Sequence, residues 1–175
     1  MRRLILFRHA KSERGQPGEN DHVRVLNPRG ERDAPQLGAF MVKHALVPDF
    51  AVVSTAARTR QTWELASAAF NEAPRAVFDE RIYDAAPQRI LKVVKEVPPS
   101  VHTLLICGHN PGLEDLAAML IGSGNVDAQQ RLAEAFPTAA LAVIDFPLDA
   151  WGKLRPHSGR LDRFVTPKSL AEADW

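Results

Sequence analysis

The chain has 175 residues, of which 45% are hydrophobic, so it can bury one substantial core but is short for two domains. Lysine and arginine number 22 against 21 aspartate and glutamate, so net charge gives no reason to expect a nucleic-acid partner. The single Cys107 excludes an internal disulfide framework. We expect no signal peptide, and no stretch reaches the roughly 18 apolar residues of a membrane span. We expect one cytoplasmic domain over residues 1–175, with no nucleic-acid or membrane partner.

Short apolar runs alternate with segments of helical periodicity along the chain. Strands are predicted at residues 4–7, 50–53, 75–79, 103–107, 139–146 and 160–165. Helices are predicted at residues 30–45, 57–70, 87–97 and 113–121, with Pro48 ending the first. Residues 10–29 are polar and follow neither period, so they predict a long loop of the kind that is often functional. The alternation predicts an α/β fold with a mostly parallel sheet.

Three of the predicted strands end on residues that suit phosphate chemistry. The first ends on Arg8 and His9, the second on a turn that leads to Arg58, and the fourth on His109. The carboxyl ends of parallel strands lie at one edge of a sheet, so these side chains can meet. Guanidinium groups match phosphate oxygens, and the helix that follows His109 adds backbone N–H donors. The sequence therefore predicts a phosphate-binding pocket.

A catalytic reading assigns a role to each of these residues. A neutral His9 imidazole among cations can attack phosphorus in line, forming a phosphohistidine that water hydrolyses. His109 would then donate to the equatorial oxygens of the transferred group. Lys11 and Ser12 are candidate substrate contacts, although a solvated lysine and serine in a loop explain the pattern equally well.

We expect neither a metal nor an organic cofactor. His22, His44, His102 and His157 are scattered without the spacing of a zinc site, and Cys107 is in an apolar run typical of a buried packing residue. The chain has no P-loop and no dinucleotide-binding glycine turn.

The same residues resemble the signatures of the histidine phosphatase superfamily. Residues 8–12, Arg-His-Ala-Lys-Ser, resemble its Arg-His-Gly signature, with Ala10 in place of glycine. Residues 54–62 resemble its Ser-Pro-x-x-Arg-Ala-x-Gln-Thr segment, with Thr55 where proline is usual, and residues 108–111 resemble its second-histidine motif. Within the superfamily, residues 21–30 and the small size point to the branch of the phosphohistidine phosphatase SixA. The resemblance implies a phosphoglycerate mutase-like, three-layer α/β sandwich.

The general acid of other branches has no clear counterpart in this sequence, where Glu80 and Asp84 are candidates only. The SixA-like branch also lacks the usual acid. An imidazole that leaves from a phosphohistidine is far less basic than an alkoxide and has less need of one. The lack of a clear general acid therefore favours a substrate with a P–N bond.

The sequence leaves three functions open. The leading expectation is a phosphohistidine phosphatase acting on phosphorelay or carrier proteins. The alternatives are a small-molecule phosphomonoesterase, with Glu80 or Asp84 as acid, and a non-catalytic module that binds phosphorylated partners. The last is disfavoured because a binder does not need a nucleophile.

Overall fold

A computed structural model of the chain describes residues 1–173. Its strands are β1 (Arg2–Arg8), β2 (Phe50–Val53), β3 (Arg75–Phe78), β4 (Thr103–Gly108), β5 (Ile121–Gly124), β6 (Leu141–Phe146) and β7 (Gly159–Val165). Its α-helices are α1 (Pro28–Lys43), α2 (Ala57–Ser67), α3 (Pro87–Lys95), α4 (Gly112–Leu120), α5 (Val126–Glu134) and α6 (Pro167–Glu172). Short 3₁₀ turns cover Asp21–Val23, Glu80–Ile82 and Trp151–Lys153.

The strands form one sheet in the order β3-β2-β4-β1-β6-β7-β5. Only β6, among the strands of the described chain, is antiparallel to its neighbours; the other pairs are parallel. In the register of β1 with β4, Arg8 lies opposite Gly108, and in that of β2 with β4, Val53 lies opposite Cys107. The carboxyl ends of β2, β4 and β1 are therefore level with one another at one edge of the sheet.

The central strand β1 is buried on both faces because helices cover both sides of the sheet. Leu4 and Leu6 join a core built with α3, α4 and α5, whereas Ile5 and Phe7 join a core built with α1, α2 and α6. This alternation explains the continuous apolar run at residues 4–7 and confirms the predicted three-layer α/β sandwich with a mostly parallel sheet. No helix within residues 1–173 is long and apolar enough to span a membrane.

The structure corrects several predicted boundaries. The first helix begins at Pro28, with the Asn27 side chain accepting from the Gly30 amide, and it ends at Lys43 rather than at Ala45. Just beyond it, Ala45 has a left-handed φ of 55°, which turns the chain towards β2. Proline at a first helical turn loses no hydrogen bond, which is why the helix extends into the predicted loop.

The sequence prediction missed β5, α5 and α6 and wrongly ended a helix on Ile121. Residues 121–124, Ile-Gly-Ser-Gly, have little intrinsic preference for a strand and pair with β7 at the edge of the sheet. Their conformation comes from that non-local pairing. Local propensity could not reveal it.

The predicted long loop contains a folded arm over residues 12–26. An antiparallel bridge between Ser12 and Leu26 closes the base of this arm, and the Glu13 amide donates to the Val25 carbonyl at 2.8 Å. The start of α1 packs on that base so closely that a Cβ on Gly30 would lie 2.1 Å from the Lys11 carbonyl oxygen. Glycine at position 30 therefore lets the arm dock against the helix.

Candidate active site

His9 immediately follows β1, and hydrogen bonds of both its backbone N–H and its carbonyl fix its position. Its amide donates to the Gly108 carbonyl at 3.1 Å, and its carbonyl accepts from the Ala139 amide at 3.0 Å. The ring atom Nδ1 lies 2.7 Å from the Ala10 carbonyl oxygen, which can only accept, so Nδ1 carries the proton. The lone pair of the neutral ring is therefore on Nε2, the nitrogen that a nucleophile uses.

Burial keeps the His9 ring neutral. The side chain is almost fully enclosed, and burial lowers the pKa of His9 to about 3, although the bond to Ala10 opposes this shift. Repulsion from His109, Arg58 and Arg8 lowers the same pKa further. At neutral pH the imidazole is uncharged and available to attack an electrophile.

His109 follows β4, and its ring centroid lies 5.3 Å from that of His9. Its Nε2 is 2.7 Å from the Ser54 hydroxyl oxygen, whereas its buried Nδ1 has no hydrogen-bond partner within residues 1–173. Burial lowers the pKa of His109 to about 3, with a further contribution from Arg58. A bound phosphate dianion would favour protonation of this ring, so Nδ1 can serve as a donor to a phosphate oxygen.

The two arginines have different hydrogen-bond partners. Arg8, at the end of β1, donates from Nη1 to the Phe136 carbonyl at 2.9 Å. Arg58 lies in the first turn of α2, is 6% exposed, and donates to the carbonyl and the carboxylate of Asp21, each at 3.0 Å. The Nε atoms of both arginines are buried without a hydrogen-bond partner among the described residues. Both guanidinium groups therefore retain donors for an anion.

Asp21 is a site residue that the sequence prediction did not assign. Its carboxylate accepts from the Tyr83 hydroxyl at 2.6 Å, from Arg24 at 3.0 Å and from Arg58 at 3.0 Å. The Tyr83 bond, followed by the two arginines, holds the pKa of Asp21 well below its usual range. The motif at residues 21–30 contained Asp21, but only the folded arm places it against Arg58.

Two adjoining cavities meet at Arg58, His109 and Asn110. The first, of about 240 Å³, is here called the phosphoryl cavity, and the second, of about 530 Å³, the outer cavity. The phosphoryl cavity is lined largely by basic and polar residues: Arg8, His9, Lys11, Ser12, Glu13, Arg14, Arg24, Arg58, His109, Asn110 and Thr138. Its size and charge suit a phosphoryl group.

The sequence-predicted site residues divide between these cavities. Lys11 and Ser12 line the phosphoryl cavity, where the Ser12 hydroxyl accepts from Arg24 at 2.7 Å. Asp84 lines the outer cavity, whereas Glu80 begins a 3₁₀ turn and lines neither. An acid role for Asp84 or Glu80 stays a prediction. Within residues 1–173 there is no group of three or more His, Cys, Asp and Glu side chains arranged to hold a metal ion.

The two buried histidines predict a dependence of stability on pH. Their folded pKa values of about 3 lie below the value of about 6.5 for an unfolded chain. Between these values the unfolded chain binds protons that the folded chain does not. The free energy of unfolding should therefore fall as the pH drops from about 6.5 towards 3, by up to about 2.7 kcal/mol per pH unit for two protons. Above about pH 6.5 the two histidines are neutral in both states, so they no longer change the free energy of unfolding as the pH rises.

Urea denaturation between pH 4 and 8 measures this slope. His9→Gln/His109→Gln should flatten it, whereas His102→Gln, at an exposed histidine outside the site, should leave it unchanged. Equal slopes in all three proteins would contradict the assignment.

The family comparison agrees with this geometry. Residues 4–86 match the model of the histidine phosphatase superfamily (branch 1). The matched segment contains Arg8, His9 and Arg58, and His109 lies beyond it.

Whole-chain relatives extend the match. An uncharacterized protein of Mycobacterium leprae is 37% identical over 166 residues, which cover 93% of this chain and all of that protein. The crystal structure of a protein assigned as the phosphohistidine phosphatase SixA of Agrobacterium tumefaciens is 32% identical, with a TM-score of 0.78, covering 95% of this chain and 98% of that one. A protein of Nakamurella multipartitia with the same assignment is 29% identical, with a TM-score of 0.76, covering 95% of this chain and 96% of that one.

The two solved structures share the fold over nearly the full length, and this chain places both histidines and both arginines at one edge of its sheet. The chain therefore belongs to the histidine phosphatase superfamily, in its SixA-like branch, and is a phosphatase.

Proposed function

We propose that the chain is a phosphohistidine phosphatase that transfers the phosphoryl group of a phosphorylated protein to His9 and then to water. The observation that carries the proposal is the bond between His9 Nδ1 and the Ala10 carbonyl, which leaves the Nε2 lone pair as the nucleophile. The assignments of the two whole-chain structural relatives support the same substrate class.

In the first step, His9 Nε2 attacks phosphorus and the P–N bond of the substrate breaks. The electron pair of that bond goes to the substrate imidazole, which leaves neutral if its other nitrogen was protonated. Arg8, Arg58 and a protonated His109 would stabilise the charge on the equatorial oxygens. Because no alkoxide is expelled, the step needs no strong general acid.

In the second step, water attacks the phosphohistidine and the P–Nε2 bond breaks. Phosphorylated His9 is an imidazolium whose Nδ1 proton bonds to Ala10, so the electron pair returning to Nε2 gives the neutral ring. The two protons of water leave with the phosphate as dihydrogen phosphate. The same leaving-group chemistry therefore serves both halves of the reaction.

The state of Asp21 favours a P–N substrate over an ester. Asp21 is the carboxylate in direct contact with Arg58, and its lowered pKa means that it holds no proton to give to an alkoxide. The surface beside the phosphoryl cavity also suits a protein substrate, because Val23 and Val25 are exposed on either side of Arg24.

A second candidate function is hydrolysis of phosphate monoesters. It is favoured by Asp84, an exposed carboxylate in the outer cavity that could act as general acid.

Steady-state kinetics with phosphohistidine and with p-nitrophenyl phosphate separate these functions. A phosphohistidine phosphatase should give a kcat/KM at least about 100-fold higher for phosphohistidine than for the ester, because contacts with the substrate imidazole in the transition state favour it. A higher kcat/KM for the ester would support the phosphomonoesterase. Binding of phosphohistidine with no phosphate release would indicate a non-catalytic module.

A further inference from the structure

The outer cavity adjoins the place where a phosphoryl group would bind. It shares Arg58, His109 and Asn110 with the phosphoryl cavity. His109 is more than nine-tenths buried, and its Nδ1 has no hydrogen-bond partner in the described part of the chain. An in-line displacement at phosphorus needs space on the side opposite the nucleophile, and the outer cavity offers about 530 Å³ beside the phosphoryl cavity. We take it as the place for the leaving group.

The charge of the outer cavity differs from that of the phosphoryl cavity. Three carboxylates, from Asp21, Asp84 and Asp115, line the outer cavity, and Arg58 is its single lysine or arginine among the residues described. Asp21 already pairs with Arg58. Asp84 and Asp115 are exposed and form no ion pair within residues 1–173. Their charge is therefore free to act on a ligand.

The apolar part of the same cavity suits a flat ring. The Tyr83 ring lies 5.5 Å from the His109 ring, edge to face, and Pro87 and Pro111 contribute further apolar surface. A heterocycle with an N–H group would find a ring to pack against and carboxylates to accept a hydrogen bond from that N–H group.

We infer that the outer cavity is a cation-accepting leaving-group subsite that selects phosphoramidates whose leaving nitrogen base carries a proton. The inference rests on the proposed function and specifies its substrate class. Asp84 and Asp115 would hold the distal N–H of a phosphorylated imidazole, so that P–N cleavage returns the electron pair to a ring that leaves neutral. The same carboxylates would repel phosphate esters that carry a second anionic group.

The test uses the variant Asp84→Asn/Asp115→Asn of the full chain. Its kcat/KM for a phosphohistidine peptide should fall by about tenfold or more, mainly through KM, because two carboxylates near a cation are lost. Its kcat/KM for p-nitrophenyl phosphate should rise by up to about threefold, because two charges that repel the negative charge developing on the departing nitrophenolate are removed. The control Glu72→Gln/Glu134→Gln removes two exposed acids that line neither cavity, and it should match the unmodified chain for both substrates.

Each outcome has a separate meaning. A fall for the ester with little change for the peptide would show that Asp84 and Asp115 serve the ester rather than the phosphoramidate and would overturn the inference. Equal falls for both substrates would overturn it as well, since they would indicate damage to the phosphoryl cavity, and competitive inhibition by inorganic phosphate would report that damage directly. The proposed function itself fails if the unmodified chain releases no phosphate from the phosphohistidine peptide, or hydrolyses p-nitrophenyl phosphate with the higher kcat/KM.

Discussion

Replacement of His9 by alanine should lower kcat by about 10⁴-fold or more for every phosphoryl donor and abolish the covalent intermediate. The reason is geometric. The backbone bonds to Gly108 and Ala139 and the ring bond to Ala10 aim one nitrogen of one side chain, and alanine supplies no substitute. Mass spectrometry after rapid quenching at alkaline pH, which preserves phosphohistidine, would detect a single phosphate on the unmodified chain and none on His9→Ala.

The matched control for this experiment is His102→Ala. His102 is exposed and precedes β4, at the opposite edge of the sheet from His109. This variant should retain the label and turnover of the unmodified chain. A phosphate label that persists in His9→Ala, or that moves to His109 with turnover retained, would contradict the assignment of the nucleophile.

Replacement of Arg58 by alanine should lower kcat/KM by about 10³-fold, whereas Arg60→Ala should change it by no more than about threefold. The two arginines are in the same helical turn but in different surroundings. Arg58 is buried between the two cavities, whereas Arg60 is exposed, stacks over the Phe78 ring at 4.1 Å and lines neither cavity. Of the two, only Arg58 is placed where it could contact a phosphoryl group bound in the phosphoryl cavity.

The comparison requires that the variants fold. Arg58→Ala leaves Asp21 with its bonds to Tyr83 and Arg24, so thermal unfolding should remain cooperative. Arg58→Lys retains a charge but loses the forked donor geometry, and its kcat/KM should lie between those of the unmodified chain and Arg58→Ala. Equal losses in Arg58→Ala and Arg60→Ala would remove Arg58 from the proposed site.

The arm over residues 12–26 explains why Arg58 has a fixed orientation before substrate binds. Asp21 joins three separate parts of the chain, namely the arm itself, α2 through Arg58 and the segment after β3 through Tyr83. Such pre-organisation reduces the cost of ordering the site when the phosphoryl group enters. The arm also provides Arg24, which lines the phosphoryl cavity.

The sequence by itself determined the type of fold and the main residues at the edge of the sheet. The run at residues 4–7 is apolar at every position because both faces of β1 are covered, and the sequence alone predicts a buried strand there. The polar residues at the ends of the first, second and fourth strands could also be recognised in the sequence, because a ligand site needs polar side chains where a buried strand ends. His9, Arg58 and His109 followed from these strand ends and from the motif spacing.

Only the tertiary structure decided how these ends meet. The strand order places β4 between β2 and β1, so that His109 lies beside both Ser54 and His9. No local pattern encodes that order, because it depends on contacts between residues about 50 to 100 positions apart in the chain.

The same limit applies to the residues that the sequence did not assign. Asp21 acquires its role from contact with Arg58 and Tyr83, and Asp115 from its place on the wall of the outer cavity. Edge strand β5 likewise exists because β7 offers it hydrogen bonds, against the weak strand preference of its two glycines. Periodicity and capping report interactions within a few residues, whereas these features arise from packing between distant segments, which only the folded chain defines.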